Sequence, residues 1–122
     1  MFIILLIVIA FNIDRADASS WTKATYEKQK IMMDLGFTKK LSTYVIDRCK
    51  ATARNPAKCV RTASFIAKAE SNAGKNAYKH NVWGINEGKT YKSDEDNFER
   101  WLKSYNIWWY NSKYPSHYYP AA

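Results

Sequence analysis

Glu70 closes a stretch of small and apolar residues, Ala67-Lys68-Ala69-Glu70, and a turn-rich loop follows it. On a helix it shares a face with Ile66 and Ala67, at spacings of four and three, the side expected to meet the core. A carboxyl set against an apolar wall has its neutral form favoured, which raises its pKa and lets it donate a proton near neutral pH. A general acid at a glycosidic oxygen needs that property. The plainer reading of the same residue is a solvated glutamate at a helix end, as most glutamates are.

Three short pieces, in order, bear on the choice. Glu70-Ser71 comes first, with Gly74 three residues on; Asn81-Val82-Trp83-Gly84-Ile85 comes second; Ser104-Tyr105-Asn106 comes third. Together they resemble the lysozyme-like superfamily, in particular lytic transglycosylases, goose-type lysozymes and glucosaminidase-type peptidoglycan hydrolases. The resemblance covers about residues 57 to 110. It implies that Glu70 is the catalytic acid, that Ser71 positions it or a sugar, that Asn81 and Trp83 shape a cleft, and that Tyr105 contacts substrate or orients Glu70. The substrate it implies is peptidoglycan, cut at the β-1,4 bond between N-acetylmuramic acid and N-acetylglucosamine, without cofactor or metal. After Tyr105-Asn106 this chain has Ile107-Trp108, where the transglycosylase pattern continues Ala-Gly.

A second carboxylate decides the reaction. Hydrolysis with inversion needs a base to activate water opposite the acid, whereas in transglycosylation the sugar's own C6 hydroxyl attacks and leaves a 1,6-anhydro ring. The candidates are Glu87, in an Asn86-Glu87-Gly88 turn, and Asp94, which with Glu95 and Asp96 also suits a helix N-terminus. A single-acid mechanism is the first expectation. Trp83, Trp101, Tyr105, Trp108 and the tyrosines of the tail offer flat rings for sugar faces, although Phe98, Trp101 and Tyr105 at helical spacing are first of all core. Trp108 and Trp109 point differently on a helix, so at least one should leave the core face and be free for substrate; Trp108 is the candidate. His80 and His117 have no partner motif, and no phosphate loop or nucleophile elbow occurs.

The elements that must position these residues are mostly helices. Thr22 and Thr38 are caps for helices over Lys23 to Asp34 and from Lys39 to about Ala53, with Gly36 as a stop between them. Asn55-Pro56 breaks the second and starts a third, which carries Glu70 and ends by Gly74. Val82 to Tyr91 reads as a small hairpin about Asn86-Glu87-Gly88. Ser93 and Asp96 form a capping box for a last helix through Phe98, Trp101, Leu102, Tyr105 and Trp109, and an aromatic tail follows. The expected fold class is mainly α, a small lysozyme-like domain with one short β-hairpin between helices.

The first segment is different. Phe2 to Phe11 is continuously apolar and Ala16-Asp17-Ala18 has the small-x-small form of a cleavage site, so residues 1–18 read as a signal peptide, or as an N-terminal anchor, and 19–122 as one catalytic domain. Cutting after Ala18 removes Arg15, Asp14 and Asp17, which leaves 18 basic and 9 acidic residues, a net +9 (18 − 9), from the +8 of the whole chain. Such a charge suits an anionic polymer or surface. The lysines are scattered and match no nucleic-acid reader, so the expected partner is peptidoglycan, with no nucleic acid, no stable membrane insertion after cleavage, and a monomeric state. In an exported, periplasmic or wall-associated protein, Cys49 and Cys59 are expected to form a disulfide rather than a metal pair. Two rivals from other classes remain open: a non-catalytic wall-binding module and a cationic membrane-active protein.

Overall fold

The structure, a computed structural model, describes residues 21–111. Four helices follow one another: α1 (Lys23–Leu35), α2 (Lys39–Thr52), α3 (Pro56–Ser71) and α4 (Asp94–Ile107), with a 3-10 turn at Trp109–Asn111. The N-terminal apolar run and the tail beyond Asn111 lie outside the described residues.

Each helix starts where a side chain can accept from an orphan backbone N–H. Thr22, Thr38, Asn55 and Ser93 accept from the amides of Thr25, Leu41, Lys58 and Asp96. Gly36, at φ +115°, ends α1 in a conformation that side chains resist. α3 ends on Asn72, Ala73 and Gly74, three successive residues with positive φ, which turn the chain sharply out of the helix. Lys68 fixes this corner, donating from Nζ to the Asn72 side chain (2.6 Å) and to the last carbonyl of α1, Leu35 O (3.0 Å).

α2 is central. α1 lies antiparallel to it, tied by Gln29 Nε2 to Thr43 Oγ1 (2.7 Å) and by the Trp21 indole N–H to Asp47 (2.6 Å). α3 returns antiparallel after a short turn and is stapled to α2 by the Cys49–Cys59 disulfide, with Cα atoms 5.7 Å apart. α4 runs alongside α2 in the same direction: Phe98 meets Tyr44 edge to face, Glu99 pairs with Arg48 (2.8 Å), and Asn106 donates to Thr52 O (3.3 Å). The core between the helices holds Met32, Leu41, Val45, Ile46, Val60, Ala63, Ile66, Phe98, Trp101 and Tyr105 around the disulfide.

The expected hairpin is absent: among the described residues no strand forms, and residues 82–91 are an irregular loop. The reason lies in consecutive burial. Val82 and Trp83 are adjacent and both buried, so one of every two residues cannot face solvent as a strand over a core requires. Side chains and tight local turns, not a strand ladder, hold the backbone here: Trp83 N and Ile85 N donate to asparagine side chains, while Val82 N and Tyr91 N donate to the carbonyls of His80 and Lys79.

Candidate functional site

The site grows from the C-terminal end of α3. Ser71, the last residue of that helix, is buried. Its hydroxyl donates to Val82 O (2.8 Å) and accepts from the Gly74 amide (2.9 Å). It therefore ties both the start and the middle of the loop that follows, at Gly74 and Val82, to the helix that carries Glu70. A second clasp comes from two asparagines. Asn81 closes its own turn, with Oδ1 accepting from Ile85 N (2.9 Å) and Nδ2 donating to Ile85 O (3.0 Å). Asn97, fully buried on α4, donates to Asn81 Oδ1 (3.0 Å) and accepts from the Trp83 amide (2.8 Å).

Trp83 is a wedge. Its indole N–H donates to Ala63 O on α3 (2.9 Å), and its ring packs on Phe37, Phe98 and Trp101. A buried indole with its donor paired contributes a large apolar area without an orphan polar atom. The loop thus fills the space between α3 and α4 and fixes the backbone at Gly84.

Gly84 is where the first two sequence pieces meet. Its φ of +65° favours glycine, and a Cβ built there would lie 2.6 Å from Cδ and 2.8 Å from Cγ of Glu70. The Glu70 side chain occupies the space that a side chain at 84 would need. Lys68, Ala69 and Glu70 are all exposed, so the wall expected beside the acid is the bare backbone of Gly84 rather than a buried apolar surface. Among the described residues the Glu70 carboxylate has no hydrogen-bond or ion-pair partner.

The other carboxylates are held. Glu87 accepts from the Tyr91 hydroxyl (2.8 Å) and from Arg100 Nε (3.0 Å), and these partners, Tyr91 first, keep its carboxyl below the ordinary value. Asp94, at the first turn of α4, accepts from His80 Nδ1 (2.9 Å). Asp94 also lies near Gly74, whose Cβ would sit 3.9 Å from Oδ2.

The remaining expected residues are elsewhere. Tyr105 is fully buried; its hydroxyl donates to Arg54 O (2.8 Å) and Asn55 O (3.2 Å), pinning the α2–α3 turn, and burial pushes its pKa up to about 12. Trp108 is 72% exposed but stands at the far end of α4, eleven residues beyond Asn97, a distance of ~16 Å along a helix. The structure therefore brings together Glu70, Ser71, Asn81, Trp83 and Gly84 and leaves Tyr105 and Trp108 apart from them. Asn97 went unread in the sequence. Its signal was a polar residue in line with Trp101 and Tyr105, at spacings of four and eight, on the apolar face of α4.

No protein-family model, curated protein or solved structure matches this chain. Among the described residues no group of His, Cys, Asp and Glu is arranged to hold a metal ion, and no helix is long and apolar enough to cross a membrane.

Proposed function

We propose that this protein is a lysozyme-like peptidoglycan-cleaving glycosidase, acting at the bond between N-acetylmuramic acid and N-acetylglucosamine with Glu70 as its single acid, in the manner of a lytic transglycosylase. The observation that carries the reading is the packing of Glu70 on Gly84, which joins the Glu-Ser and Asn-x-Trp-Gly-Ile pieces at one point. The clasp formed by Ser71, Asn81 and Asn97 fixes the backbone on which the carboxylate rests. A glycan strand laid over the exposed Glu70 carboxylate excludes water from around it, so that a proton held there faces the glycosidic oxygen directly. The Glu70 proton passes to the departing oxygen as the bond from that oxygen to the anomeric carbon breaks; the sugar's C6 hydroxyl then bonds to that carbon and gives its proton back to the Glu70 carboxylate, which restores the acid. Glu87 and Asp94, already held by Arg100 and His80, leave the single-acid route favoured over hydrolysis with a second carboxylate.

The exposure of Glu70 also favours a second reading, a wall-binding module that keeps the motif without the chemistry. Digestion of purified peptidoglycan by wild type and Glu70→Gln, with mass spectrometry of the soluble fragments, separates them. Loss of a general acid lowers the rate by ~10²–10⁴-fold. Fragments with 1,6-anhydro ends from wild type and none from the variant are expected. Reducing ends would transfer the second role to Glu87 or Asp94, and silence from both proteins would favour the binding module.

A further inference from the structure

The domain is electrically lopsided. From Arg48 to Ala69 and from Arg100 to Asn111 the chain contains no aspartate or glutamate, while it carries Arg48, Lys50, Arg54, Lys58, Arg61, Lys68, Arg100 and Lys103. Lys50, Arg54, Lys58 and Lys103 lie toward one end of the molecule, where the α2–α3 turn meets the close of α4, whereas Arg48 and Arg100 pair with Glu99 and Glu87 and Lys68 stands at the Glu70 corner. The Asn106 side chain accepts from the Arg54 amide (3.0 Å), and the Arg54 guanidinium lies 4.6 Å over the Tyr110 ring. The acidic first turn of α4, Asp94 to Asp96, is at the opposite end, beside the Glu70 corner.

Two large apolar side chains project from the same basic end. Ile107 is 65% exposed and Trp108 72% exposed, adjacent in sequence, with Lys103 one turn before Ile107 on the same helix face. An exposed tryptophan beside an exposed isoleucine, flanked by basic side chains, is the pattern of an interfacial anchor: the indole sits at headgroup level and cations meet the phosphates. The first and last described residues lie at this same end: Trp21 is bonded to Asp47 in the later half of α2, and Asn111 follows directly on Tyr110.

We infer that this end of the bundle docks on an anionic lipid bilayer, with Ile107 and Trp108 entering the interface and Arg54 and Lys103 meeting the headgroup phosphates. Charge complementarity selects the anionic surface, and the apolar pair selects a lipid surface over a soluble polyanion. Docked this way, the protein turns its Glu70 corner outward from the membrane. The inference does not depend on that corner being catalytic.

The test uses the full chain with vesicles of phosphatidylcholine containing about a third phosphatidylglycerol, against phosphatidylcholine alone. Wild type is expected to sediment with the anionic vesicles, Lys103→Gln to bind roughly fivefold more weakly, and the double variant Ile107→Ser, Trp108→Ser to bind at least ~10-fold more weakly. All three residues are on the surface, so the variants should retain the wild-type melting transition. A second readout isolates this face from the apolar 2–11 segment, which contains no tryptophan. Brominated acyl chains should quench part of the tryptophan emission, and Trp108→Phe should remove that part. Quenching unchanged in Trp108→Phe, or equal binding to neutral vesicles, overturns the inference. So does a loss confined to Lys103→Gln with the double variant unaffected, which would mark the face as a general polyanion site.

Discussion

Replacing Gly84 by alanine probes the contact on which the site is built. The new Cβ would fall 2.6 Å from Cδ and 2.8 Å from Cγ of Glu70, where carbon atoms rest at about 3.5–4.0 Å, so the Glu70 side chain must move by roughly 1 Å. Two costs arise. Holding an alanine in the left-handed region at φ +65° costs ~1–2 kcal/mol. Pushing Glu70 out of its preferred rotamer adds ~0.5–1.5 kcal/mol. Glu70→Ala removes the second cost and leaves the first, so a double-mutant cycle by urea or thermal unfolding should return a coupling of about 0.5–1.5 kcal/mol. In a domain of this size each kcal/mol moves the midpoint by roughly 4–8 °C, well within reach of a melt followed by circular dichroism. Strict additivity of the two substitutions would refute the reasoning, because it would mean that Glu70 does not rest on Gly84. In a peptidoglycan-digestion assay the same displacement of the acid should lower the rate by ~10²-fold.

Other outcomes follow from the clasps. Asn97→Ala leaves the Trp83 amide and Asn81 Oδ1 short of partners in a buried setting and should cost about 2–3 kcal/mol in chemical denaturation, more than Asn81→Ala at its half-buried position. Removing the disulfide as Cys49→Ala with Cys59→Ala frees a ten-residue loop, and the midpoint should fall by the equivalent of ~2–3 kcal/mol. Tyr105→Phe strips a donor from two carbonyls of the α2–α3 turn and should lower stability by ~1 kcal/mol. Glu99 accepts from Arg48 and Tyr44, and the Arg48 hydrogen bonds above all depress its pKa from 4.5. A depressed carboxylate stabilises the fold above its unfolded value and loses that contribution as pH falls through the folded one. The melting midpoint should therefore drop below about pH 4.5, and less steeply in Glu99→Gln.

Helix boundaries were the most legible part of this sequence because they are local. A cap needs only its own side chain and an amide three residues on, and Thr22, Thr38 and Ser93 announce themselves accordingly. The cysteine pair was legible for a similar reason: it closes a short turn between two helices. The loop from Asn72 to Lys92 was not. Its order comes from contacts distant in sequence, Asn97 to Asn81 and Trp83 to Ala63, which no period announces. The Asn86-Glu87-Gly88 turn looked like a hairpin tip because turn chemistry is local, but the strands it would join have no ladder partner. Glu70 stands out in the sequence only through its neighbours, and its meeting with Gly84 is beyond any spacing rule, since fourteen residues separate them. Tyr105 illustrates the opposite error: an aromatic in a familiar pair that the fold uses to hold a turn.

The Trp83 wedge has a consequence for how the molecule opens. α4 packs directly on α2 but reaches α3 by way of the indole, so releasing Trp83 undoes the joint between those helices and the seat of Glu70 at once. A region tied to the rest in this way has no separate low-energy opening of its own. In a hydrogen-exchange experiment the Trp83 amide, though it belongs to an irregular loop, should exchange as slowly as the slowest amides of α2, because both wait for the same global event.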